Sequence, residues 1–140
     1  MTAEPIPQGK YIPAVRCENL IWTAGMTPRD NGILIKTGKL SNSDTLANYW
    51  NAVRQAAKNT FNAASNTLAD GEAIARLITF TVYVNAESDF IGQSKLADYA
   101  SEYYCEVLGE AGIGSRVAIG VASLPGNAPV EIQALFAIRR

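Results

Sequence analysis

The ten residues from Ala75 to Val84, ARLITFTVYV, constrain this chain most. They are dense in β-branched and aromatic side chains and too short for a helix, so they read as a well-buried strand. On either side the hydrophobic period changes. From about Asp44 to Leu68, the residues Leu46, Trp50, Val53, Ala57, Phe61, Ala64 and Leu68 recur three or four apart, which predicts one face of a long amphipathic helix ended by Ala69-Asp70-Gly71. From about Asp89 to Leu108, Leu96, Ala100, Tyr103 and Val107 form the inward stripe of a second helix, broken by Gly109, Gly112 and Gly114.

A buried strand between two helices needs other strands beside it, and both ends of the chain supply them. Tyr11 to Cys17 and Leu20 to Met26 read as two strands joined by a tight turn at Glu18-Asn19, and Ile33-Leu34-Ile35 as a short third. Ser115 to Ala122 and Val130 to Ile138 read as the last two, joined through Leu124 to Pro129 in a hairpin with Ala122 opposite Val130. The sum is one α+β domain over residues 1–140, a mixed sheet with two helices on one face. The strands are apolar at nearly consecutive positions (VAIGVA, LFAI), so the uncovered face must also meet something apolar. With no further element available, another copy of the chain is the expected cover, in a closed homo-oligomer.

Composition excludes several functions. The chain has no histidine, which rules out an imidazole base or His-ligated zinc within it. Twelve Lys and Arg against thirteen Asp and Glu give no concentrated positive field, so neither nucleic acid nor an anionic membrane is an expected partner. Cys17 and Cys105 lack metal or redox spacing and read as free thiols. The leader MTAEPIPQGKY carries no signal pattern, and a cytoplasmic location is expected. Gly109, Gly112 and Gly114 run opposite to a dinucleotide fingerprint and follow a helix, so no nucleotide cofactor is read from them. Tyr99, Tyr103 and Tyr104 are expected to pack rather than to stack on bases, and Trp22 and Trp50 to lie in the core.

The informative residues are isolated charges in apolar strands, costly unless paired or used. Arg116 is the only charge in SRVAIGVASLP, and Glu131 the only one in PVEIQALFAI. Each has a plain structural reading as a strand-end cap or a salt bridge. In the expected hairpin Arg116 lies opposite Phe136, roughly 17 Å along the ladder from Glu131. The two could then meet only across a subunit boundary, where a guanidinium could hold an anion while a carboxylate manages a proton or water.

These residues carry a family resemblance. Gly114-Ser115-Arg116-Val117-Ala118-Ile119-Gly120-Val121-Ala122-Ser123-Leu124-Pro125, followed by Val130-Glu131-Ile132-Gln133-Ala134, resembles the C-terminal signature of the Rid (YjgF) family, R-x-x-V-x-V-x-x-L-P and then V-E-I-E-A. Gly9 to Ala14 resembles its G-x-Y-x-x-A, and Trp22 to Met26 its x-x-S-G-Q. The resemblance implies a chorismate-mutase-like fold, a homotrimer with clefts between subunits, and cofactor-free, metal-free hydrolysis of reactive 2-imino or enamine acids to 2-oxo acids and ammonia. It implies that Arg116 clamps the substrate carboxylate and Glu131 handles the attacking water. The backbone at Ala118 would orient water or substrate, and Tyr11 would line the cleft from a neighbouring chain. Ser94 joins the substrate-binding set at a helix position where the family often has asparagine. Val117 and Ala118 stand where a hydroxyl and a thiol are common, and Ala24 replaces a small hydroxyl residue, which marks a divergent branch. The alternatives are a non-catalytic trimer binding a small carboxylate and, disfavoured by charge, an endoribonuclease.

Overall fold

A computed structural model describes residues 5–140. Strands β1 (Ala14–Cys17) and β2 (Leu20–Thr23) form a tight hairpin, with Glu18 at φ 55° in the turn. Met26 continues the line of β2 by exchanging backbone hydrogen bonds with Ile132. The short apolar run beyond it pairs with a preceding dipeptide, β3 (Arg29–Asp30) against β4 (Ile33–Leu34), as a separate ribbon. A short 3-10 turn over Leu46–Tyr49 leads into α1 (Trp50–Ser65); then come β5 (Ala73–Asn85), α2 (Gln93–Leu108), β6 (Ser115–Val121) and β7 (Val130–Arg139).

The main sheet has the order β1-β2-β7-β5-β6, with both helices on one face. The expected hairpin between the last two strands does not form. β6 runs parallel to β5, the arrangement a helical crossover such as α2 permits, and β7 inserts between β5 and β2, antiparallel to both. Buried Asn85 at the end of β5 holds the connection across the strand. Its Nδ2 donates to Ala128 O (3.0 Å) and Asn127 Oδ1 (3.2 Å), its N–H donates to Pro129 O (2.9 Å), and its Oδ1 accepts from Lys39 Nζ (2.9 Å). β7 is therefore laddered on both sides, and its burial alternates cleanly along Val130, Ile132, Ala134, Phe136 and Ile138.

The core lies between this face and the helices, around Ile21, Leu77, Val82, Ile132, Phe136, Leu96 and Tyr104, all fully buried. α2 turns Tyr104 inward rather than the expected Tyr103 and Val107 pair: Tyr104 has no exposure, Val107 retains 39% and Tyr103 is half-buried. The Tyr104 ring packs edge-to-face on Phe80 and Phe136, and its hydroxyl bonds Thr60 Oγ1 at 2.6 Å. Burial pushes its pKa up. Gly112 fits because a Cβ there would lie 2.1 Å from Tyr104 O. Trp22 and Trp50 are not core residues. Each is 41% exposed, Trp50 stacking on the Arg54 guanidinium and Trp22 lying on the open sheet face. Cys17 and Cys105 are both unpaired.

The open face is largely apolar, with Thr81, Glu131 and Gln133 as polar members. Exposed Val15, Trp22, Val117 and Ile119 lie on it with Tyr83 and Leu135. Among the described residues no helix is long and apolar enough to cross a membrane.

Candidate functional site

Alternation along the strands decides where the two isolated charges go. In β6, Arg116 and Ala118 face the helices, whereas Ser115, Val117 and Ile119 face out. The Arg116 guanidinium reaches α2. Nη1 donates to Ser101 Oγ (2.9 Å) and meets Asp98 Oδ1 (2.8 Å), and Nη2 donates to both Oγ and the carbonyl of Ser94 (3.0 Å each). Two hydroxyls and a carbonyl thus hold the fork on its own chain. Asp98, with 60% of its side chain exposed, is its only charged partner among the described residues, and a solvated pair of this kind is worth about 0–1 kcal/mol.

Glu131 is on the opposite, open face. Its neighbours Val130 and Ile132 are buried beneath the helices, and it stands across the ladder from Tyr83. The half-buried carboxylate has no hydrogen-bond or ion-pair partner among the described residues. Burial without compensation raises its pKa above the ordinary carboxylate range. Its position depends on Gly25. A Cβ at residue 25 would lie 2.2 Å from Glu131 Oε2 and 2.9 Å from Cδ, so the missing side chain is the space the carboxylate occupies.

Within one chain the two charges do not meet. Arg116 pairs across the ladder with Phe80 and Glu131 with Tyr83, and β5 lies between their strands. That spacing puts their backbones roughly 14 Å apart, and their side chains leave opposite faces. The expected separation within the chain therefore has a different geometry from a hairpin.

Ser94 touches Arg116 directly, and Ala118 lies in edge strand β6, opposite Val82. Tyr11 is exposed, its hydroxyl accepting the Gln8 N–H at 3.1 Å. It lines a cavity of about 120 Å³ together with Gly25, Arg29, Lys58 and Asn59. The sequence reading missed Gly25 as the seat of Glu131, although a glycine immediately after β2 and a lone carboxylate in β7 were the available signals. It also missed the Lys39–Asn85 contact, for which a lysine in TGK gave no pattern.

The amino-acid sequence matches the family model described as Endoribonuclease L-PSP over residues 1–138. It is 31% identical over 136 residues to Protein TCP17 of Trypanosoma cruzi, an alignment covering 96% of this chain and 85% of that protein. The fold is similar to that of Atu1372 from Agrobacterium tumefaciens, a protein of unknown function. That match has a TM-score of 0.86 and 31% identity, and covers 96% of this chain and 87% of the other. It is also similar to the YjgF gene product of E. coli, with TM-score 0.66, 23% identity, and coverage of 98% and 94% respectively.

Proposed function

The chain belongs to the endoribonuclease L-PSP (YjgF/RidA) family, and from that premise we propose that it hydrolyses reactive 2-imino acids and their enamine tautomers to 2-oxo acids and ammonia. The observation that carries this reading is Glu131, a partly desolvated carboxylate without a partner, seated against Gly25 with a raised pKa. A carboxylate left unpaired at such a cost suits proton transfer, because its proton affinity is closer to neutral pH.

The chemistry needs little more. A protonated imine carbon is already electrophilic. Water adds to it as Glu131 takes a proton from that water and passes it to nitrogen; Glu131 then takes the proton of the new hydroxyl as the C–N bond breaks, C=O forms and ammonia leaves, and gives that proton to ammonia or solvent. Arg116 supplies the carboxylate clamp. Its Ser94 and Ser101 contacts fix the fork, and the solvated Asp98 is weak enough to be displaced by a substrate carboxylate.

Because Arg116 and Glu131 leave opposite faces, the productive site takes Arg116 from one protomer and Glu131 from the next. The apolar face bearing Trp22, Val117 and Ile119 is the surface that joins them, in a homotrimer. Ala118 in β6 and Ser94 flank the clamp, and Tyr11 approaches from a neighbouring chain.

The test is imine disappearance with a 2-imino acid generated in situ. Wild type accelerates decay, while Arg116→Ala and Glu131→Gln lose the acceleration; equal rates for wild type and Arg116→Ala overturn the proposal. A second reading, a small-carboxylate-binding trimer without turnover, draws on Val117 and Ala118, which leave no hydroxyl or thiol beside the arginine. It would give Arg116-dependent stabilisation by 2-oxobutanoate with no imine hydrolysis.

A further inference from the structure

The cavity that Tyr11 lines shares Tyr11 and Gly25 with the imine reading, but its charged walls, Arg29, Asp30 and Lys58, are residues that reading does not use. The leader, the segment after β2, the β3–β4 ribbon and α1 enclose it, and its volume is about 120 Å³. A cavity of roughly 150 Å³ takes a benzene-sized guest, so this one suits a ligand of about five to seven heavy atoms.

Its walls carry two cations, Arg29 and Lys58, and one acid, Asp30. Arg16, Arg54 and Arg116 each meet a carboxylate; neither Arg29 nor Lys58 has an ion-pair partner among the described residues. Arg29 Nη1 donates to Gly32 O at 2.8 Å, while its Nε is buried with no acceptor among the described residues. Two cations in one cavity wall without an ion-pair partner are unneutralised, and an entering anion would offset them.

The surroundings hold this arginine in place. Buried Asn59 donates from Nδ2 to Thr27 O (3.1 Å) and Arg29 O (2.9 Å), and its Oδ1 accepts from Gln55 Nε2 (2.9 Å), which ties the Arg29 backbone to α1. Ile6 and Met26, which also line the cavity, supply apolar surface for a short hydrocarbon chain.

From this geometry we propose that the cavity is a second binding site, independent of Arg116, for a small monocarboxylate with a short apolar tail, its carboxylate taken by Arg29 with Lys58 as the outer cation. Sodium butanoate is the probe, titrated into the full ¹⁵N-labelled chain. Amide shifts are expected to concentrate at Gly25, Arg29 to Gly32 and Asn59. Arg29→Gln should weaken the affinity by about tenfold or more, and Lys58→Gln, at an exposed position that should not disturb the fold, by a few-fold. Arg116→Ala should leave these shifts and this affinity unchanged. Shifts confined to Ser94, Ser101 and Arg116, or no shifts at these amides at tens of millimolar butanoate, overturn the proposal. Tighter binding of inorganic phosphate than of butanoate at the same amides overturns the assignment to an organic carboxylate.

Discussion

Replacing Gly25 with alanine separates the position of Glu131 from its presence. The new Cβ would stand 2.2 Å from Glu131 Oε2, 2.9 Å from Cδ and 3.1 Å from Cγ. Carbon contacts settle near 3.5–4 Å, so the carboxylate must retreat by more than about 1 Å. Gly25 does not have positive φ, so alanine meets no backbone penalty, and what must move is the end of a flexible, half-exposed side chain. The fold should survive with a small change in Tm. A displacement of about 1 Å in a catalytic group can cost up to about 100-fold, and kcat/KM for imine hydrolysis is expected to fall by roughly 10- to 100-fold. A carboxylate pushed toward water is also better solvated, so the acid limb of the pH–rate profile should move to lower pH in Gly25→Ala than in wild type. In a Glu131→Gln background the same alanine should have little further effect on the rate. An unchanged kcat/KM with an unshifted limb would refute the role given to Glu131; a protein that loses rate only in proportion to lost folded fraction would refute it too.

Other perturbations test the frame around the site. Glu72 is held at a pKa of about 2, chiefly by hydrogen bonds from Arg16 and from the Ala69 N–H. A carboxyl whose pKa is lowered on folding stabilises the protein above its unfolded pKa and loses that contribution as pH falls toward the folded value. Thermal melts between pH 7 and pH 2 should therefore show a decline below about pH 4.5 that is shallower in Glu72→Gln. Tyr104→Phe removes one buried hydrogen bond to Thr60, whose hydroxyl still donates to Ala57 O, and should cost about 1 kcal/mol, or a Tm lowered by about 3 °C in calorimetry. Ile119→Asp places a charge on the open face and should yield a folded monomer by light scattering; an intact oligomer would move the interface elsewhere.

The elements that stand alone were legible in the sequence. β5, α1 and α2 each announce their period over ten or more residues, and the β1–β2 turn needs only Glu18-Asn19. Strand neighbours were not legible, because nothing local in LPGNAP separates a hairpin from a connection that spans β5. A buried hydrogen-bond network at Asn85, far away in sequence, decides it. Trp22 and Trp50 misled for a related reason. Their size argues for the core, yet Trp22 belongs to the face left open by the helices and Trp50 to the outer end of α1, where Arg54 covers its ring. At the site, Arg116 and Glu131 stood out as lone charges among apolar neighbours. Their odd offset put them on opposite faces even in the expected hairpin, but the strand that separates them followed only from the pairing of β5 with β6 and β7, and the fit of Glu131 against Gly25 only from three-dimensional contact.

A site divided between protomers can be tested by mixing two inactive proteins. Arg116→Ala and Glu131→Gln chains, unfolded together in equal amounts and refolded, should form boundaries in which one neighbour still carries the arginine and the other the glutamate. Random assortment gives about a quarter of such boundaries in a closed ring, so imine hydrolysis should recover to about a quarter of the wild-type rate. If the mixture stays as inactive as either variant alone while forming oligomers of normal size, the two residues do not build one site across subunits.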